Sequence, residues 1–165
     1  MMHRFLTPVI FSALSAAVFA QLPVDSQQLH MRFATFDPTR TAIEVPAQLR
    51  APKSGRLYIV QFAGAPTDAR RQALQRLGVE IHRYLPENAY VVRMNADRER
   101  VARQVAGVRA VLPYHPAFRL EPELISELES GEAMPLRKYN IVVVNKRSDK
   151  PGLIARIEAI GANAM

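Results

Sequence analysis

Tyr114, His115, Phe118 and Leu120 alternate aromatic and apolar groups along a stretch punctuated by Pro113, Pro116 and Pro122. On an extended chain this spacing suits adjacent subsites of a peptide-binding groove, where strand-like main-chain pairing supplies affinity and separate pockets supply selectivity. The same side chains would equally wrap the domain's own core, and the residues alone leave both readings open. His115 is the group in this stretch whose charge changes near neutral pH, so protonation would loosen whatever contact it makes. A lone His is more often a passive surface group, and no sensing role is assigned to it from sequence.

Other chemistry is thinly supplied. With no Cys there is no disulfide framework, thiolate metal site or cysteine nucleophile, and the four His (His3, His30, His82, His115) stand too far apart for a zinc signature. None of GxGxxG, GxxxxGK[ST], HExxH or GxSxG occurs. The expectation is a chain with no catalytic residues, no metal and no cofactor.

The elements that must position the tail can be read in order. The chain has 165 residues, a formal charge of +7 and 48% hydrophobic residues, with 12 Pro and 7 Gly, a composition that folds and has room for one modest core. Residues 1–20 read as a signal peptide: Arg4 is cationic, Phe5–Phe19 is mostly apolar but too short to span a bilayer, and cleavage is expected after Ala20. This predicts a secreted or periplasmic protein without a stable membrane anchor. Residues 21–55, with Pro23, Pro38, Pro46 and Pro52 and no sustained period, read as an extended or loosely ordered leader of little function.

From Leu57 the pattern becomes regular. Leu57–Phe62 is a β-branched and aromatic strand. Thr67 caps a helix over 68–77 that buries Ala73, Leu74 and Leu77 and ends at Gly78. A strand through Val79, Ile81 and Leu85, a turn at 86–88 and the strand Ala89–Met94 form a hairpin. Asn95 opens a second helix ending at Gly107, and Val108–Leu112 is a fourth strand. The predicted fold class over 56–113 is therefore α+β: ferredoxin-like βαββαβ, a four-stranded antiparallel sheet with both helices on one face. The other face is expected to be bare, and Tyr58, Val60, Tyr90 and Val92 are the residues assigned to it as a docking surface.

Residues 114–137 are predicted to be an extended tail, because two Pro oppose helix, followed by an acidic linker. Over 138–165 the strand Lys138–Val144 and a helix opening at Asp149-Lys-Pro-Gly152, with Leu153, Ile154, Ile157 and Ile160 inward, make a second βα unit. An offset of 83 residues aligns Tyr58-Ile-Val60 with Ile141-Val-Val143, Leu74 with Ile157 and Gly78 with Gly161, so this unit reads as an incomplete second copy in a truncated chain.

Tyr58–Phe62, Leu77-Gly-Val79, Tyr84–Tyr90 and Val108–Leu120, in register behind a signal peptide, together resemble the propeptide or peptidase-inhibitor domain of bacterial subtilisin-like serine peptidases. The resemblance implies a non-catalytic module that docks its sheet face on the protease catalytic domain, in cis or trans. It assists folding and places a C-terminal tail in the substrate cleft, so 113–124 would be the plug. The family's catalytic Asp, His and Ser motifs are absent from this chain, which the resemblance makes the N-terminal region of a precursor. A shorter stretch, Ile141–Ile157, resembles the opening of ACT domains, which would make Gly152 the glycine of an amino-acid-binding loop; a plain Pro-Gly helix start accounts for it as well. The nine Arg between Arg70 and Arg109 read as a solvated face, and the RNP-type signature is missing, so no nucleic-acid partner is expected.

Overall fold

A computed structural model of the chain describes residues 27–132 and 136–163; the expected signal peptide lies outside the described residues. The architecture is mixed α+β, with antiparallel sheets and four α-helices. A small hairpin comes first, β1 (Leu29–His30) against β2 (Thr35–Phe36). The main sheet holds β3 (Leu57–Phe62), β4 (Glu80–Leu85), β5 (Ala89–Arg93) and β6 (Val108–Pro113) in the spatial order β4-β5-β3-β6. Between them run α1 (Asp68–Arg76) and α2 (Ala96–Ala102), and α3 (Pro122–Ser130) and α4 (Lys146–Ala159) come after. The element order along the chain is thus longer than a simple βαββαβ, with a hairpin in front and two helices behind.

Local chemistry sets the boundaries. Thr67 Oγ1 accepts the Arg70 N–H at 3.4 Å and caps α1. At its far end Gly78 takes φ +72°, the Val79 N–H bonds the Leu74 carbonyl and the Gly78 N–H bonds that of Gln75, a Schellman stop. Glu87 and Asn88 both sit at positive φ (63° and 59°), so the β4–β5 hairpin turns through two left-handed residues, as its right-handed strand twist favours.

β3 is central, with β5 and β6 antiparallel on its two sides. Period-two alternation divides its side chains between two cores. Tyr58, Val60 and Phe62 join Leu74, Val79, Val92, Met94, Ala102 and Val111 beneath α1 and α2. Ile59 joins Ala89 and Val91 on the opposite face.

That opposite face is not bare. Leu29, Phe36, Val45 and Leu49 from the leader and Tyr114, Ala117, Phe118 and Ile125 from the tail close over it as a second core. Ile59, Ala89 and Val91 would otherwise leave apolar area in water at roughly 25 cal/mol per Å². The leader's structure is hidden in the sequence because its apolar residues come from a two-stranded hairpin, a 3-10 turn over Ala47–Leu49 and irregular chain, which carry no single period.

The tail is also ordered differently. Pro116 opens a 3-10 turn through Phe118, and Pro122 is the first residue of α3, which ends at Gly131 with φ +68°. A proline excludes helix only behind it in the chain; at the first helical position its missing N–H has no helical partner to lose. The predicted strand Lys138–Val144 does not form: 138–143 is irregular, with Ile141 and Val142 exposed. Strand-forming side chains cannot make a strand without a neighbour to pair with. α4 begins before the predicted Asp149, because Asn145 Oδ1 accepts the N–H groups of Arg147 (3.1 Å) and Ser148 (3.3 Å), leaving Pro151 inside the helix.

Candidate functional site

The side chains assigned to a docking face lie in the interior. Val60 and Val92 are 0% exposed and Tyr58 is 6% exposed, all under α1 and α2, and burial pushes the Tyr58 phenol up. Tyr90 packs against the same cluster, edge-on to Phe62 and Tyr84, with its hydroxyl 3.4 Å from Arg71 Nη1. They are the helix-facing set because the helices cover the parity of β3 and β5 to which these four residues belong. The alternation of the strands was legible; which parity the helices would take was not.

The tail residues do come together, on the other side of the sheet. Tyr114 and Phe118 are buried, with ring centroids 6.5 Å apart, and Leu120 packs against the same core. Phe118 also meets Phe36 of the leader at 5.8 Å and the His115 ring edge-on at 5.2 Å. Of the two sequence readings of the tail, this structure adopts the one in which it wraps the domain's own core.

Leader and tail meet around a cavity of about 220 Å³ lined by Phe36, Pro38, Thr41, Ala42, Ile43, Val45, Leu112, His115 and Phe118. It is half open to solvent, and apart from Thr41 and His115 its lining side chains are apolar. His115 Nδ1 accepts the Ala51 N–H at 2.9 Å, which joins leader to tail. Burial, and then the charge of Arg50, lower the His115 pKa below the ordinary histidine value.

A second polar joint holds the leader to the sheet. Arg109 Nη2 donates to both carboxylate oxygens of Asp37 at 2.7 Å and to Thr39 Oγ1 at 2.8 Å, while Nη1 donates to Gln61 Oε1 at 2.9 Å. Hydrogen bonds from Arg109 and from the Thr39 N–H hold the Asp37 carboxyl down at about 2. Gln61, itself buried, completes the joint by donating to the carbonyls of Gln27 and Glu87. Sequence reasoning passed over Asp37 and Arg109; the cue was Asp37-Pro-Thr39, a turn that Asp stabilises by accepting the N–H two residues on.

Gly152 sits inside α4 and not in a strand-to-helix loop, and open space surrounds it. The start of α4 is instead tied to the sheet: Asp149 pairs with Arg93, which holds its carboxyl at about 2, and Asn145 Nδ2 donates to Glu80 Oε1 at 3.4 Å. Nearby, His82 Nε2 is buried without a hydrogen-bond partner, 3.7 Å from Glu80 Oε1. Among the described residues no group of three or more His, Asp or Glu could hold a metal ion, and no helix is long and apolar enough to cross a membrane.

No curated protein and no solved structure matches the chain. One family model does, over residues 30–115, more than half of the sequence. The match runs from the leader hairpin through β6 to His115, so it takes in the leader together with the sheet that the leader covers. On this match the chain belongs to the family described as Domain of unknown function (DUF8729).

Proposed function

We propose that this chain is a non-catalytic propeptide or inhibitor module of a secreted subtilisin-like serine protease, with a ferredoxin-like split βαβ core. The observation that carries the reading is the neighbourhood of the resembling segments. Tyr58–Phe62 lies between the strand reached through Tyr84–Tyr90 and the strand that begins Val108–Leu120. The tail leaves that last strand directly at Pro113.

The manner of docking differs from the one the resemblance implies. With one face under helices and the other under leader and tail, a protease is left the edge strands β4 and β6, and the tail reaches a substrate cleft only when lifted from the sheet. A module that binds the folded enzyme and not the unfolded chain stabilises it by mass action, so one contact serves chaperone and inhibitor alike. Export after cleavage near Ala20, without a stable membrane anchor and without a nucleic-acid partner, belongs to the same reading. The partner is the catalytic domain of the protease, in cis or trans.

The test is to titrate the full chain against a panel of subtilisin-like proteases, including any encoded beside or downstream of it, following peptide hydrolysis and cleavage of the chain. Saturable inhibition with slow cleavage supports the reading. No effect on any of them overturns it. The cavity of about 220 Å³ favours a second reading, a small-ligand module; its site would be that cavity and not Gly152, and calorimetry with amino acids and small apolar acids tests it.

A further inference from the structure

The leader is attached over the sheet at two polar points of opposite chemistry. At Asp37 the attachment is an ion pair: Arg109 grips both oxygens, and Gln61 and Thr39 share the guanidinium. At Ala51 it is a neutral hydrogen bond, backbone N–H to His115 Nδ1, between residues 64 apart in sequence. Since Nδ1 accepts, it carries a lone pair, and the neutral ring bears its proton on Nε2. A proton added to the ring must go to Nδ1, where it removes the acceptor and sets two N–H groups against each other.

Among the described residues, the charge that bears on the ring is a cation and not a compensating anion. From the leader, Arg50 bears on the ring with like charge, its Nε tied to the Val45 carbonyl at 2.7 Å. From the tail, Arg119 lies over the Tyr114 ring, 5.5 Å from its centroid. From the sheet, β6 presents Leu112 to the cavity, and its Arg109 is committed to Asp37. Glu121, the acid next along the tail, pairs with Arg32.

We propose that the Ala51–His115 contact is an acid-released latch: protonation of His115 frees the leader segment around 43–51 and opens the cavity between leader and tail, while the Asp37–Arg109 joint keeps the leader tethered. The inference does not depend on the protease reading. The sign is set by the ring's burial. A His whose folded pKa lies below its unfolded value contributes stability that is complete above the unfolded value and is lost as pH falls through the folded one. The Asp37 carboxyl, held at about 2, stays ionised across that window.

The test uses the full chain, with NMR titration of the His115 ring and amide hydrogen exchange between pH 7.5 and 4.5. Protection of the Ala51 amide should fall at least tenfold on acidification, with a midpoint that tracks the His115 ring, while amides around Asp37 keep theirs. His115→Asn keeps an acceptor near the Nδ1 position that does not titrate, so this variant should hold Ala51 protection flat across the range. Ala51 protection that ignores His115 protonation overturns the latch. So does a pH-dependent loss that persists in His115→Asn, or loss at Asp37 and Ala51 together.

Discussion

Arg70 and Arg98 are each the third residue of their helices, α1 and α2: the Arg98 guanidinium lies across Gly78, which ends α1, and the Arg70 guanidinium across Gly107, which lies in the turn before β6 because α2 stops at Ala102 and not at the expected Gly107. Arg98 Nη1 donates to the Gly78 carbonyl at 2.7 Å, and the Arg70 guanidinium covers Gly107 while Nη1 donates to the Ala65 carbonyl at 3.1 Å. Arg98 therefore ties the start of α2 to the end of α1, and both glycines are doubly constrained, by positive φ and by a guanidinium over the Cα. A Cβ at Gly78 would lie 2.8 Å from Arg98 Cζ, and one at Gly107 would lie 2.6 Å from Arg70 Nε.

Gly78→Ala and Gly107→Ala should each destabilise the fold by about 1–2 kcal/mol, chiefly through the left-handed backbone, in urea unfolding followed by circular dichroism. Adding Arg98→Ala to Gly78→Ala should recover the steric part and leave the backbone part. Full recovery would mean that the backbone at Gly78 is not under the constraint described.

The Asp37–Arg109 joint gives a pH prediction of defined sign. Asp37 is held at about 2 against an ordinary 3.8, so its stabilising effect is present above the ordinary value and is lost as pH falls through the lowered one. The stability difference between the native chain and Asp37→Asn should be constant from pH 7 to about pH 5 and shrink as pH approaches 2. A difference that grows on acidification would contradict the ion pair.

Phe118 is 4% exposed and touches Phe33, Phe36, Tyr114 and His115. Phe118→Ala should cost about 3–5 kcal/mol, as for other large-to-small core changes, and should raise binding of an apolar dye by uncovering the second core. Leu136→Ala, at a fully exposed residue, should change neither by a measurable amount.

At α4, Asn145 both caps the helix and reaches Glu80. Asn145→Ala should lower the local stability of α4 by about 1 kcal/mol, read as faster amide exchange over 147–159 with global unfolding unchanged. An equal loss in the main sheet would place α4 within its cooperative unit.

The elements legible in the sequence were those whose signals are local. Thr67 and Gly78 marked both ends of α1, the tight turn at 86–88 marked the hairpin, and Leu57–Phe62 carried its strand signal in Tyr58, Ile59, Val60 and Phe62. The parts that were not legible depended on partners distant in sequence. Phe36 and Val45 became core because Ile59 and Val91 needed cover, and no period in the leader announces that. Pro122 alone reads as a breaker, because a proline starts a helix only when the residues after it, here Glu123–Ser130, sustain one. Tyr58, Val60, Tyr90 and Val92 were correctly grouped on one face by alternation, but the face was the helical one. Ile141–Val144 had the β-branched strand preference and, among the described residues, no neighbouring strand.

That last segment bears on solubility. Tyr139-Asn-Ile-Val-Val-Val144 is a short, uncharged, β-branched run with no proline, and Ile141 and Val142 are 59% and 85% exposed. Such runs stack in register into fibrils when copies meet. Here Arg137 and Lys138 stand immediately before it and Lys146 and Arg147 just after, so each stacked copy would bring like charges into repeated contact at both ends. These cations act as gatekeepers, which makes the chain's tolerance of its own exposed hydrophobic run dependent on ionic strength: salt that screens the four charges should shorten the lag before fibrils form.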